Sequence, residues 1–113
     1  YNEDIVESST YLTHKIEETA IEHNINIVKG NIHCSDVFYR KKLDYDFISK
    51  YNLIGVEMET FALFYNAKYL NKNAAAIITV SDSVNHDLNL TSEEREKSLD
   101  NMILLALETT LKL

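Results

Sequence analysis

Four acidic or basic side chains in this sequence sit where they could do chemistry. Glu57 and Glu59 flank Met58 in the run Gly55-Val56-Glu57-Met58-Glu59, directly after the apolar step Leu53-Ile54. Carboxylates are among the residues least often fully buried without a partner. Placed past a strand end and before a helix, two of them can accept hydrogen bonds from vicinal hydroxyls such as those of a ribose. Their other reading is as first-turn acids that complement a helix macrodipole, and spacing alone leaves both open. Asp82, in Val80-Ser81-Asp82-Ser83, also follows an apolar run. It suits a general acid if a dry pocket raises its pKa, or a plain turn or cap aspartate. Arg95 falls in the first turn of the last helix, where a cation opposes the dipole. It is either a solvated charge or a partner reaching back towards Asp82. Phe38-Tyr39 can stack on an aromatic base or pack in a core.

The elements that must position these groups follow from periodicity. Residues 5–23 read as a helix, with Ile5, Leu12, Ile16 and Ala20 on one face. Asn24 ends it, and residues 26–34 alternate as a strand. A charged connection over 40–46 leads to a short helix over 47–51. Residues 53–56 form a short apolar strand and residues 61–70 a helix. Residues 74–80 read as a buried strand, because Ile-Ile-Thr-Val follows the alanines without polar alternation. A polar loop over 81–89 precedes Thr91-x-x-Glu94, a capping-box pattern. The last helix carries Leu99, Met102, Ile103, Ala106 and Leu107 at helical spacing. Helices alternating with strands describe an α/β sheet with covering helices. In such sheets ligands bind beyond the carboxyl ends of strands, which is where Glu57, Glu59 and Asp82 fall.

Composition narrows the function. The chain has 113 residues, 45% of them hydrophobic, which is a globular composition. A net charge of −7 argues against a nucleic-acid backbone as partner. No apolar run is long enough to span a bilayer, and no signal peptide is visible. Cys34 is the one cysteine, so no intrachain disulfide forms and a cytoplasmic setting is expected. Cys34 itself reads as a small buried apolar residue. His14, His23, His33 and His86 lack metal-ligand spacing. Gly30 and Gly55 are the only glycines, so there is no Gly-rich phosphate loop. Arg40 and Arg95 are the only arginines, which leaves few fork donors for an anion. With Tyr1 at the start, the chain reads as a fragment of a longer protein.

Taken together, the motifs resemble one family. Gly30 to Tyr39 (GNIHCSDVFY), Gly55 to Glu59 (GVEME), Thr79 to Asp82 (TVSD) and the Thr91 to Met102 helix start resemble, in order, segments of the hexameric, bacterial-type purine nucleoside phosphorylases. The resemblance implies part of the nucleoside phosphorylase fold: a mixed central sheet flanked by helices, incomplete at its N-terminal side. Residues 1–113 would be the C-terminal segment of a single such domain. Glu59 would hold the ribose hydroxyls, Met58 would pack on the sugar, and Glu57 would line the same pocket. Phe38 would stack on the purine, with Val56 and Ser81 beside it. Asp82 would protonate purine N7, and Arg95 would swing towards it as the last helix bends. The implied reaction converts a purine (deoxy)ribonucleoside and phosphate to free base and (deoxy)ribose 1-phosphate, without metal or cofactor. The implied assembly is a hexamer built as a trimer of dimers, with no nucleic-acid or membrane partner. A purine nucleosidase using water in place of phosphate, and a non-catalytic binding or assembly module, are the alternatives. Ser83 departs from the family, which often has histidine there. The family's phosphate loop and phosphate-binding arginines are expected outside this chain, so the 113 residues alone are expected to be inactive.

Overall fold

The computed structural model describes residues 3–37, 44–81 and 91–113. Its elements are α1 (Thr10–Glu22), β1 (Asn31–Cys34), α2 (Tyr45–Tyr51), β2 (Leu53–Glu57), α3 (Thr60–Tyr69) and α4 (Ser92–Thr110). The chain is α/β and divides into two compact units. One comprises residues 1–9 and 28–74, the other residues 10–27 and 75–113.

The first unit is built on a parallel pair. β1 and β2 run side by side in the register Ile32↔Gly55, His33↔Val56 and Cys34↔Glu57, with an irregularity after Asn31. Gly30 is where the chain crowds the Ile54 side chain. A Cβ there would lie 2.8 Å from Ile54 Cγ1, so only glycine fits without moving Ile54. α2 connects the strands. Asp44 caps its start by accepting the Phe47 N–H at 3.0 Å, and Asn52 ends it in the left-handed region at φ 51°. Phe47 meets His33 and Tyr51 edge to face at centroid distances of 5.1 and 5.0 Å, which places α2 against the strand pair.

In the second unit α1 packs on α4. Thr19 and Ala20 of α1 and Leu105 and Thr109 of α4 are the buried residues of those helices. Both threonines return their hydroxyls to the preceding turn: Thr19 to the Lys15 carbonyl and Thr109 to the Leu105 carbonyl. No donor is therefore stranded by burial. Lys112–Glu22 at 2.6 Å and His23–Glu108 at 3.7 Å close the end of the pair.

Asparagine replaces glycine at the helix ends. After α1, Ile25 N–H reaches the Ala20 carbonyl and Asn24 N–H the Ile21 carbonyl, with Asn24 at φ 54°. After α3, Lys72 and Asn71 repeat the pattern onto Ala67 and Lys68, with Asn71 at φ 56°. Both are Schellman closures, and asparagine tolerates the left-handed conformation better than most residues.

Four sequence expectations differ from the structure. The first helix begins at Thr10 rather than near Ile5, because residue 9 is drawn off by a Ser9 N–H to Ala74 carbonyl bond of 2.7 Å. The first strand is confined to residues 31–34, because its partner β2 is only five residues long and pairing starts at Asn31↔Leu53. Residues 74–80 make no ladder among the described residues. Residues 75–80 belong to the second unit, which has no strand among the described residues, and Thr79 instead donates its hydroxyl to Met102 Sδ at 3.3 Å. On α4 the buried stripe is Leu105–Thr109, whereas Leu99, Ile103 and Leu107 are exposed. The α1 partner covers only one narrow face, so the more apolar face of α4 is left outside.

Candidate active site

The carboxyl ends of β1 and β2 meet where the sequence places its paired glutamates. Ser35, 2% exposed, donates its backbone N–H to the Glu57 carbonyl at 2.8 Å, continuing the ladder one residue past the end of β1. Its hydroxyl closes a local turn with Val37, through bonds of 2.9 and 3.1 Å to the backbone. The chain then runs towards Phe38. Phe38 and Asp82 lie outside the described residues.

Glu57 and Glu59 have different surroundings. Glu57 is half-buried, and Oε2 accepts the backbone N–H groups of Glu59 at 2.7 Å and Thr60 at 2.8 Å. Oε1 accepts the Thr60 hydroxyl. The Glu57 side chain thus satisfies the open amides at the start of α3, as a helix N-terminus favours for an anion. Glu59 occupies the N-cap position itself, at φ −127° and ψ −24°, yet its side chain makes no capping bond. Glu59 and Met58 are exposed, as is Val56.

Electrostatics follow this arrangement. Burial pushes the Glu57 carboxyl upwards. The Thr60 hydroxyl, the Glu59 and Thr60 amides and the Cys34 thiol outweigh it, and hold the group below the usual glutamate range. Cys34 stands opposite Glu57 in the strand register. Its thiol is pushed up by burial, against a lowering contribution from the Phe61 N–H, and pushed up further by the nearby Glu57 carboxylate. Cys34 is therefore half-buried and engaged, rather than the inert apolar residue expected from sequence. The missed signal is its register partner, which is visible only once the strands are paired.

The remaining site residues belong to the second unit. Ser81 is exposed just after the 74–80 segment. Arg95 is exposed in the first turn of α4, where its backbone N–H reaches the Thr91 carbonyl at 2.9 Å. That turn is set by the expected capping box: Thr91 Oγ1 accepts the Glu94 N–H at 3.1 Å, and Glu94 Oε1 accepts the Thr91 N–H at 3.4 Å. An open pocket of about 120 Å³ lies elsewhere in the first unit, lined by Ser9, Phe64, Lys72 and Ala74 among others. None of the expected site residues lines it. No helix among the described residues is long and apolar enough to cross a membrane.

The parallel strand pair thus ends in a carboxylate-bearing bend that leads straight into α3. Residues 2–111 match the family model described as the phosphorylase superfamily, and the chain belongs to that family. Its relatives narrow the likeness. It is 42% identical over 111 residues to "Purine nucleoside phosphorylase DeoD-type" of Mycoplasma genitalium, covering 96% of this chain and 46% of that protein. Proteins of the same name from Brevibacillus brevis and Aliivibrio fischeri are 38% identical over 101 residues and 42% over 91. Those matches cover 88% and 80% of this chain, and 43% and 38% of the relatives. The chain thus spans less than half the length of these curated relatives.

Proposed function

We propose that the protein carrying this chain is a purine nucleoside phosphorylase: it converts purine (deoxy)ribonucleosides and phosphate to free base and (deoxy)ribose 1-phosphate. The name borne by its relatives supports this reading. The observation that carries it is the unequal pair at the end of β2, where Glu57 is tied into the helix start and Glu59 is left exposed beside Met58. An exposed carboxylate at a strand's carboxyl end suits the two adjacent hydroxyls of a ribose.

In this reading Glu59 accepts the ribose hydroxyls and Met58 packs on the sugar. Phe38 stacks on the purine, with Val56 and Ser81 beside it. A phosphate oxygen forms the new bond to C1′ as the bond from C1′ to purine N9 breaks. The sugar passes through an oxocarbenium-like state, whose positive charge nearby carboxylate stabilises. Asp82 delivers its proton to N7, so the base leaves neutral, and Arg95 stabilises the resulting carboxylate. Such acid assistance is worth about 10²–10⁴-fold. The reaction uses phosphate as co-substrate and no cofactor, and the protein works as a cytoplasmic hexamer without nucleic-acid or membrane partners. The phosphate-binding groups lie outside these 113 residues. Base release by the full-length protein, assayed with and without phosphate, tests the reading. Strict dependence on phosphate supports it, and equal release in its absence indicates a nucleosidase instead.

A further inference from the structure

Glu57 and Glu59 are both acidic and stand at the same strand end, Glu57 as the last residue of β2 and Glu59 as the N-cap of α3. The geometry separates their work. A carboxylate offers about four acceptor positions. On Glu57, Oε2 takes the Glu59 and Thr60 amides and Oε1 takes the Thr60 hydroxyl. Cys34 stands opposite Glu57 in the strand register. The main chain of Glu57 is held as well, through the Ser35 N–H on its carbonyl at 2.8 Å. The three side-chain bonds turn the carboxylate towards the start of α3. What it does there is close a ring around Met58: with its side chain on the Glu59 amide, the backbone from 57 to 59 is bent and held.

We propose that Glu57 is a positioning residue, clamped by Thr60, that fixes the bend presenting Glu59 to the ribose hydroxyls and binds no hydroxyl itself. This deepens the sugar-site reading above and rests on it. Thr60 is the informative partner, because its hydroxyl touches Glu57 and starts α3. Its replacement by valine keeps the side-chain shape and removes only the clamp's donor. The register pairing of Glu57 with Cys34 also ties the bend to β1.

The test uses the full-length protein and one ratio: kcat/KM for a purine ribonucleoside over kcat/KM for its 2′,3′-dideoxy analogue. Glu59→Gln lowers the ratio if Glu59 holds the hydroxyls. Under the proposal Thr60→Val lowers it several-fold, and Glu57→Ala lowers it by up to about 10²-fold, the scale of a misplacement of about 1 Å. Glu57→Gln, which keeps a carbonyl oxygen for the two amides, loses less than Glu57→Ala. Thermal unfolding of each variant confirms that it is folded. The proposal is overturned if Thr60→Val leaves the ratio unchanged while Glu57→Gln lowers it as far as Glu59→Gln, for then Glu57 binds a hydroxyl directly. It is also overturned if the Glu57 and Thr60 variants slow both substrates equally, which is a structural effect only. An unchanged ratio in Glu59→Gln removes the sugar-site reading itself, and the positioning role with it.

Discussion

The carboxylate of Glu57 accepts the backbone N–H of Glu59 at 2.7 Å, so the first glutamate of the pair holds the second in place. The bond is local, two residues apart, and it sits where two parallel strands end and α3 begins. Local bonds of this kind fix a bend without needing a large core around it.

The Glu57 clamp predicts a pH dependence with a definite sign. Its hydrogen bonds hold the folded-state pKa below the ordinary glutamate value of 4.5. A depressed carboxyl stabilises the fold fully above that value, and the contribution disappears as pH falls through the lower folded pKa. Unfolding of the parent protein and of Glu57→Gln, followed by circular dichroism from about pH 7 down to about pH 3, should converge at the acid end. A gap that stays constant throughout would show that the ionised carboxylate is not what stabilises the bend.

The start of α4 depends on a reciprocal cap. Thr91→Ala removes the acceptor for the Glu94 N–H and is expected to cost about 1 kcal/mol in urea unfolding. Glu94→Ala, which removes the weaker return bond of 3.4 Å, is expected to cost less. The opposite order would mean that the hydroxyl does not hold this helix end.

Close approach of the Ile54 side chain makes Gly30 sensitive. Gly30→Ala places a methyl 2.8 Å from Ile54 Cγ1 and is expected to destabilise by about 1–3 kcal/mol. Ile54 is exposed, so Ile54→Ala should relieve most of that cost in the double variant. Additive losses would place the strain elsewhere.

Much of this was legible in the sequence. Thr91-x-x-Glu94 announced its own capping box, and the asparagine after α1 marked that helix end. Of the two readings offered for the paired glutamates, the helix-start one is seen on Glu57, whose carboxylate takes the Glu59 and Thr60 amides. Which of the two caps the helix was not legible, because spacing puts both in the first turn and only the bend between them decides. Cys34 was missed because its role arises from strand register, which joins residues far apart in sequence. Residues 74–80 have strand composition, but a strand is made by a neighbour, and the second unit, which holds residues 75–80, offers none among the described residues. Apolar spacing on α4 pointed to Leu99, Ile103 and Leu107, while packing against α1 selected Leu105 and Thr109.

The acid assigned to Asp82 is separable from binding. In the full-length protein, Asp82→Asn is expected to lower kcat for 6-aminopurine nucleosides by about 10²–10⁴-fold while changing KM little. Unchanged turnover would remove Asp82 from the proton transfer.

The central claim is phosphorolysis, and its products distinguish it from hydrolysis. Phosphorus NMR of the full-length protein with a purine nucleoside and inorganic phosphate follows the phosphate directly. The account predicts a sugar 1-phosphate signal growing in step with free purine, at the expense of inorganic phosphate. Free purine accompanied by free ribose, with the phosphate signal unchanged, would contradict it.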